Sequence, residues 1–282
     1  MKDEPRPHPL RDSSADVAAV RRLPDTPQTR APAYRLAFTD RDFLMREELR
    51  PVRLQLELLK PQMMMDEAGI ESTIVLFGGA RIPAPDAPAG TTDARPPALR
   101  ALSPYYEEAR RFAFVMTGRS LATGGRQDVI MTGGGPGVME AGNRGAAEAG
   151  GRSIGLNIVL PHEQAPNAYV TPDLCFNFHY FAMRTMHFAM RAKAVAVFPG
   201  GFGTMDEVFE TLTLIQTGRM ERIPLLLFGR DFWGRAINLK VLEEEGTISP
   251  GDTDLFVNVD TAEEGWEVVR KHYNLPQVEL EK

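Results

Sequence analysis

Two glycine-rich segments each join an apolar run to a helical pattern and carry side chains that can do chemistry. In "VIMTGGGPGVMEAG" the apolar run ends at Thr132, and three glycines precede an alanine-rich helix. In "AVAVFPGGFGTMDEVFE" the glycines and Thr204 lead into the acidic pair Asp206 and Glu207. A glycine turn that opens onto a helix exposes backbone N–H groups and the positive end of the helix dipole. Both segments therefore predict binding of a phosphate-type anion, although neither matches the P-loop or a clean GxGxxG.

Glu207 has two interpretations at this stage. Thr204 and Glu207 fit a capping box, in which the carboxylate would stabilise the helix start by about 1 kcal/mol and do nothing else. Alternatively, a carboxylate held near a sugar carbon can stabilise an oxocarbenium ion or activate a water molecule. A helix end that attracts phosphate has no need of two acidic residues unless one faces another part of the ligand. A phosphate on one side and a carboxylate on the other predict a ribose 5-phosphate group between them.

The segment "FHYFAMRTMHFAMRAKA" supplies cations before the second glycine turn. Arg184 and Arg191 are seven residues apart, about two helical turns, which predicts that they share a helix face at one edge of the fold. Arginine binds phosphate through a rigid fork, but an ion pair at the surface is the alternative for Arg191. His179 and His187 could act in acid–base chemistry or simply pack among the aromatic and methionine side chains.

Short apolar runs alternate with amphipathic segments along most of the chain, which predicts a doubly wound parallel sheet with helices on both faces. We expect the two glycine turns to follow adjacent strands at the carboxyl edge, where open α/β sheets bind ligands. The predicted strands are residues 73–77, 128–132, 153–158, 194–198, 224–228 and 255–259. The predicted helices are residues 104–116, 137–149, 181–192, 205–217, 232–244 and 262–273.

The chain divides by composition into four parts. A Pro-rich flexible tail (1–33) is followed by a helical extension (34–69), the nucleotide domain (70–275) and a short C-terminal tail (276–282). Within the extension we predict a helix from Thr39 to about Glu67, capped by Thr39 or Asp40 and broken or kinked at Pro51. A Pro-rich surface insertion is expected at residues 81–97. The segments 52–65 and 176–190 are the candidates for contacts between subunits of a homo-oligomer.

Composition excludes several classes of function. A net charge of −6 argues against general binding to nucleic acid or to an acidic membrane. Cys175 is the single cysteine, so no intramolecular disulfide or thiolate-rich zinc cluster can form, and a cytoplasmic location is expected. The first residues lack the apolar core of a secretory signal, and no run of apolar residues is long enough to span a membrane.

Together, "GGGPGVMEAGNRGA" and the "MR" that stands fifteen positions before "PGGFGTMDE" resemble the LOG (Lonely Guy) family, whose signature is PGGxGTxxE. The resemblance covers about residues 70 to 260. It implies a Rossmann-like fold and hydrolysis of the N-glycosidic bond of a purine nucleoside 5′-monophosphate to free base and ribose 5-phosphate. The family's substrates are AMP and N6-substituted cytokinin riboside monophosphates. No metal or organic cofactor is implied.

The resemblance also assigns residues. The catalytic pair of the family falls on Arg184 and Glu207. The flanks of the arginine, "FAMRT", differ from the "MHERK" of the shorter plant-type members, which leaves the preferred base open. Its phosphate- and nucleotide-binding positions fall on Gly133, Gly134, Gly135, Gly137, Gly200, Gly201, Gly203 and Thr204.

Two rival functions remain at this stage. A nucleotide-binding or cofactor-carrying protein could use the same phosphate cradle without turnover, although a mere binder has no need of Arg184 and Glu207 together. The family's older label of lysine decarboxylase would require pyridoxal phosphate and a Schiff-base lysine. The chain has six lysines, and Lys193, the one near the motifs, precedes a buried strand. Sequence leaves open whether His179, His187, Arg191, Asp206 or Glu140 takes part.

Overall fold

One parallel sheet of seven strands organises the chain in the computed structural model, which describes residues 12–86, 96–161 and 165–276. The strands are β1 Thr73–Phe77, β2 Val129–Thr132, β3 Ser153–Ile158, β4 Cys175–Phe178, β5 Ala192–Val197, β6 Leu225–Phe228 and β7 Val257–Val259. Their order across the sheet is β4-β3-β2-β1-β5-β6-β7. The central strands consist of apolar residues without alternation, because both faces of a parallel sheet are covered.

The helices of the described residues are α1 Ser13–Val20, α2 Pro27–Arg30, α3 Arg41–Leu44, α4 Arg50–Glu67, α5 Pro97–Arg100, α6 Pro104–Ala122, α7 Val138–Glu148, α8 Phe181–Met190, α9 Phe202–Gln216, α10 Arg230–Ala236, α11 Leu239–Glu244 and α12 Ala262–His272. Helices α6, α7 and α12 cover one face of the sheet, and α8, α9 and α10 cover the other. The side chains of β1 show the two layers, since Ile74 and Leu76 join the core beneath α6, α7 and α12. Val75 and Phe77 join the core beneath α8, α9 and α10. The predicted doubly wound α/β fold is confirmed.

The strand order corrects one expectation about the glycine turns. The turns after β2 and β5 do not follow adjacent strands, because β1 lies between these two strands and pairs with both. The chain builds outward from β1 through β2, β3 and β4, and then crosses back to place β5 on the other side of β1. This reversal of strand order is a topological switch point, where an open sheet leaves a crevice at its carboxyl edge.

Several predicted elements differ from the observed ones. Strand β4, Cys175–Phe178, was missed because its four residues carry no turn signals and Asn177 interrupts the apolar run. The predicted helix at residues 232–244 is two helices, α10 and α11, separated by Ile237 in an extended conformation. The predicted strand at 255–259 is shortened to β7, because a 3₁₀ turn occupies Asp252–Leu255.

The N-terminal part is more divided than predicted. The single helix expected from Thr39 becomes α3, capped by Asp40, a 3₁₀ turn and α4. Pro51 does not break a helix, because α4 begins at Arg50 and a proline is tolerated in the first turn. Within the predicted tail, α1 and α2 form without a buried residue. Residues 1–11, part of the predicted insertion (87–95) and most of the C-terminal tail (277–282) lie outside the described residues.

The chain divides into two compact units, Met1–Leu56 and Glu57–Lys282. The second unit therefore begins before residue 70, the start of the nucleotide domain expected from sequence. The reason is that the last turns of α4 belong to the core, where Met65 is 1% exposed and packs with Ile70. The predicted flexibility of the tail and the four-part division remain predictions.

Two helical glycines test how closely α6 and α7 pack. A Cβ at Gly145 of α7 would clash with the carbonyl oxygen of Arg110 on α6, whereas a Cβ at Gly118 of α6 would meet nothing within 4 Å. We expect Gly145→Ala to lower the free energy of unfolding by about 1–3 kcal/mol through overpacking. Gly118→Ala should raise it by about 0.5–1 kcal/mol, since alanine is the better helix former. Urea unfolding followed by circular dichroism measures both, and equal effects of the two substitutions would contradict the close packing.

Candidate active site

An open cleft of about 240 Å³ lies at the carboxyl edge of the sheet, at the switch point between β1 and β5. It is lined by backbone from three strand ends, by the start of α9 and by side chains from α7, α8 and α9. The lining residues are Phe77, Gly78, Gly79, Ala80, Gly133, Met139, Arg184, Gly201, Gly203, Thr204 and Glu207. The structure thus brings Arg184, Glu207, Thr204 and three of the predicted glycines together around one space.

Glu207 is the buried acid of this cleft. Its side chain is 6% exposed, and the Thr185 hydroxyl lies 3.5 Å from its Oε1 as a donor. Burial raises the pKa of Glu207 to about 7; the Arg184 charge opposes this rise, whereas the charges of Asp206 and Glu210 add to it. A carboxyl group with such a pKa exists in both protonation states near neutral pH, which is the condition for a group that exchanges protons or stabilises cationic charge.

The capping-box interpretation of Thr204 and Glu207 is wrong. Helix α9 begins at Phe202 with Gly201 as its N-cap, and no side chain caps it. Thr204 and Glu207 both lie inside the helix, three residues apart, and such residues share a face. The spacing therefore places both side chains toward the cleft, which they both line.

Arg184 extends from the first turns of α8 across the turn that follows β2. Its Nε donates to the carbonyl oxygen of Leu156 at 2.8 Å, and its guanidinium carbon lies 5.2 Å from the centre of the Phe188 ring. A Cβ built on Gly133 would lie 2.5 Å from Nη2 of Arg184. The guanidinium thus packs directly on the backbone of Gly133, so a larger residue there would displace it.

Four of the predicted phosphate-binding glycines do not line the cleft: Gly134, Gly135, Gly137 and Gly200. The structure gives three of them a packing role. Gly134 and Gly137 have positive φ angles of 73° and 70°. Gly137 lies against the carbonyl of Gly79, and Gly200 lies against Thr204 so closely that a Cβ would clash in both places. These glycines shape the turns, and their predicted contact with phosphate remains a prediction.

A third glycine turn was missed in the sequence. Gly78, Gly79 and Ala80 follow β1 and line the cleft together with Phe77 of β1 and Met139 of α7. The signal was present as "LFGGAR", directly after a predicted buried strand. A Cβ at Gly78 would lie 2.6 Å from Cγ1 of Val138, so glycine is required there for α7 to approach β1.

Arg191 lies far from the cleft, which corrects the expectation that it shares an edge with Arg184. Its guanidinium donates to the carbonyl of Ile70 at 2.7 Å and pairs with Asp66 at 2.6 Å. Seven helical residues rise about 10 Å, so the two arginines occupy opposite ends of α8, one at each edge of the sheet. The alternative of an ion pair for Arg191 is therefore confirmed.

The remaining candidates are held by other contacts. His187 is 1% exposed and its Nε2 lies 3.1 Å from the carbonyl of Glu57, and burial lowers its pKa. The backbone N–H of His179 donates to the Glu57 carboxylate at 2.9 Å. Glu140 accepts a hydrogen bond of 2.8 Å from the Tyr106 hydroxyl. Asp206 is exposed at the start of α9 and acts on Glu207 through its charge.

Lys193 belongs to the opposite edge of the sheet from the cleft. It is the second residue of β5, and its Nζ lies 3.8 Å from Oδ1 of Asp128 and 5.7 Å from the centre of the Tyr273 ring. Among the described residues, no group of three or more His, Cys, Asp or Glu side chains is arranged to hold a metal ion. In the same part of the chain, no helix has the length and apolar character needed to cross a membrane.

Comparison with known proteins supports the resemblance drawn from the motifs. Residues 139–269 match a family model described as "Possible lysine decarboxylase". The chain is 26% identical over 140 residues to a cytokinin riboside 5′-monophosphate phosphoribohydrolase of Arabidopsis thaliana, covering 49% of this chain and 64% of that protein. It is 28% identical over 165 residues to a probable enzyme of the same name from Oryza sativa subsp. japonica, covering 57% and 65%. The chain thus spans less than two thirds of the length of these relatives.

A solved structure to which the chain shows similarity is that of the molybdenum cofactor carrier protein of Chlamydomonas reinhardtii. It superimposes with a TM-score of 0.47 at 16% identity, covering 72% of this chain and 99% of the carrier. Similarity of this extent adds nothing to the assignment of a function. The resemblance to the LOG family is confirmed by the family model and by the two plant relatives, whose full names end in LOG3 and LOGL5.

The burial of Glu207 predicts a pH-dependent cost to stability. Its pKa is raised from 4.5 to about 7 in the folded chain, so folding opposes ionisation. The resulting loss in the free energy of unfolding is absent below pH 4.5 and complete above pH 7. Glu207→Gln should therefore raise the free energy of unfolding at pH 8 by up to about 3 kcal/mol, and change it little at pH 4.5.

Urea unfolding midpoints at the two pH values measure this difference, with the exposed Glu221→Gln as the matched control. A gain in stability that is equal at both pH values would show that the amide packs better than the acid, and it would contradict the desolvation argument.

Proposed function

We propose that this chain, which resembles the LOG family, hydrolyses the N-glycosidic bond of a purine nucleoside 5′-monophosphate to release the free base and ribose 5-phosphate. The observation that carries the proposal is the placement of a buried carboxylate, Glu207, and an arginine, Arg184, in one cleft with the N-terminus of α9. AMP and N6-substituted adenosine monophosphates are the proposed substrates. The names of the plant relatives support this class of reaction.

The start of α9 is the proposed site of the 5′-phosphate. The first four N–H groups of a helix lack partners within it and, together with the helix dipole, favour an anion. Gly201, Gly203 and Thr204 line the cleft at this helix end, so the phosphate can approach the backbone without meeting a large side chain. Gly133, which follows β2, also lines the cleft. Phosphate binding so far from the reacting carbon would hold the sugar in place for the chemical step.

Glu207 is the proposed catalytic carboxylate. As the bond between C1′ and the base nitrogen breaks, positive charge develops on the ribose, and the ionised carboxylate would stabilise it and orient the attacking water. Arg184 would orient the nucleotide and help the base depart with the bonding electrons. Because the pKa of Glu207 lies at about 7, the ionised form needed for this role prevails above neutral pH.

The residues of the cleft favour hydrolysis over two rival functions, a non-catalytic carrier and a decarboxylase. A non-catalytic nucleotide or cofactor carrier would need the phosphate-binding turns but would have no use for a buried carboxylate, which folding disfavours. A decarboxylase would need a lysine in the cleft, whereas Lys193 lies at the opposite edge of the sheet beside Asp128. Incubation with AMP distinguishes the first rival, since a carrier would bind the nucleotide and release no adenine.

We also propose that the chain forms a homo-oligomer through the outer faces of α4 and α8. Large apolar side chains are exposed on these helices: Leu59 (48%), Met63 (55%), Phe181 (55%), Met186 (45%) and Met190 (42%). Contiguous exposed apolar side chains are characteristic of a contact surface. Both helices belong to the segments that the sequence pattern favours for subunit contacts.

The catalytic assignment predicts the behaviour of two variants. Glu207→Gln and Arg184→Ala should each lower the release of adenine from AMP by at least about 10³-fold, the typical loss when a group that stabilises the transition state is removed. Both should keep the wild-type circular dichroism spectrum. Release of adenine is followed by chromatography, with an N6-substituted adenosine monophosphate as a second substrate.

Two matched variants control for general damage. Glu221→Gln removes an exposed carboxylate outside α9, and Arg191→Ala removes the other arginine of the segment that contains Arg184. Both should keep turnover within about threefold, since neither side chain lines the cleft. Normal turnover by Glu207→Gln would refute the proposed function.

The contact surface predicts a change of mass. Met186→Lys combined with Leu59→Lys should convert the oligomer to a monomer, because two charges would be buried without partners. Light scattering after size-exclusion chromatography measures the mass, with the exposed Val241→Lys as control. A wild-type chain that is already monomeric would contradict this proposal, as would an oligomer that the double variant leaves intact.

A further inference from the structure

A buried network of polar side chains holds the glycine turn after β2 from behind. Gly134 donates its N–H to Oγ1 of Thr132 at 2.9 Å, and that hydroxyl donates to Oδ1 of Asn143 at 2.7 Å. Asn143 in turn donates to Oγ of Ser153 at 3.0 Å. Thr132 and Asn143 are fully buried, so a turn of three glycines, which would otherwise be mobile, is tied to β2, α7 and β3.

Asn167, in the segment between β3 and β4, completes this network from the other side. Its Nδ2 lies 3.0 Å from the carbonyl oxygen of Gly134, 3.0 Å from that of Gly135 and 2.9 Å from Oδ1 of Asn143. Its backbone N–H also donates to the carbonyl of Gly134 at 2.9 Å. One side chain therefore engages two consecutive carbonyl groups of the turn.

The direction of these carbonyl groups matters for anion binding. A peptide carbonyl that faces a phosphate repels it, whereas an N–H group attracts it. All described peptide bonds are trans, and in a trans unit the C=O and the following N–H point in opposite directions. Because the carbonyl of Gly134 faces Asn167, the N–H of Gly135 faces away from Asn167. Asn167 itself does not line the cleft, whereas Gly133 at the start of the turn does.

We infer that Asn167 is a positioning residue for the phosphate group of the substrate: it holds the carbonyl oxygens of Gly134 and Gly135 away from the anion and fixes the turn in its binding conformation. The inference rests on the phosphate-binding part of the proposed function. Asn167 lies outside all the recognised motifs. In this role it would discriminate between phosphorylated and unphosphorylated ligands. Asn143, in the helix after the turn, acts through the same network.

The experiment compares a ligand that carries the 5′-phosphate with a ligand that lacks it. Ribose 5-phosphate and adenosine are titrated calorimetrically into the full chain, its Asn167→Ala variant and the control Asn177→Ala, an exposed asparagine of β4. Asn167→Ala should weaken the binding of ribose 5-phosphate about tenfold, the scale of losing hydrogen bonds that hold a binding site. The binding of adenosine should stay within about twofold, since adenosine lacks the phosphate.

A second variant covers the case in which Asn167→Ala does not fold. Asn167→Asp keeps the shape of the side chain but opposes a carboxylate to two carbonyl oxygens, so it should weaken ribose 5-phosphate binding by at least as much. Asn177→Asp makes the same change of charge at an exposed position and should have little effect. In turnover, both Asn167 variants should raise KM for AMP about tenfold and change kcat by less than about threefold.

The outcomes separate this inference from the function on which it rests. Wild-type binding of ribose 5-phosphate by Asn167→Ala would overturn the positioning role, as would an equal loss of affinity for adenosine, which would indicate general damage. If the wild-type chain binds ribose 5-phosphate but releases no adenine from AMP, hydrolysis is wrong and the positioning role is tested on binding alone. Failure of the wild-type chain to bind ribose 5-phosphate would overturn the positioning role, whereas the proposed function is decided by the release of adenine from AMP.

Discussion

The burial of one carboxyl group is the constraint to which the rest of this site is fitted. Glu207 is 6% exposed, and transferring an ionised carboxylate out of water is costly. Arg184 partly offsets that cost by its charge, and the Thr185 hydroxyl adds a donor. The two compensating residues are consecutive on α8, so a single helix supplies both the cation in the cleft and the hydroxyl beside the acid.

Backbone packing explains much of the glycine content that the motifs display. Gly78, Gly137 and Gly200 each meet a neighbouring atom where a Cβ would stand, so three chain segments converge on the cleft more closely than side chains would allow. Arg184 lies over Gly133 in the same way. In this fold, glycine is required first to let strand ends, helix starts and a guanidinium approach one another. The anion site that we propose is a consequence of that close approach.

Sequence was sufficient for the fold class and for the residues that converge on the cleft from α8 and α9. Unbroken apolar runs predict buried strands such as β1. Arg184 and Glu207 are recognisable because an arginine and a carboxylate near glycine turns can bind and cleave a nucleotide. Three features could not be read in this way. The central place of β1 depends on strand order, which local pattern does not encode. The opposite positions of Arg184 and Arg191 depend on the direction of α8 relative to the sheet, and Asn167 lies in a segment that carries no motif.

The true start of α9 changes the meaning of the Thr204 and Glu207 spacing. Were Thr204 an N-cap, Glu207 would turn back to the helix end and be occupied there. With the helix beginning at Phe202, both residues lie within its first two turns, and helical side chains lean toward the N-terminus. Glu207 therefore leans toward the positive end of the same helix that we propose to bind phosphate. A single helix start can then hold the phosphate with its amides and face the sugar with its carboxylate, which fixes the distance between the two without any contribution from a loop.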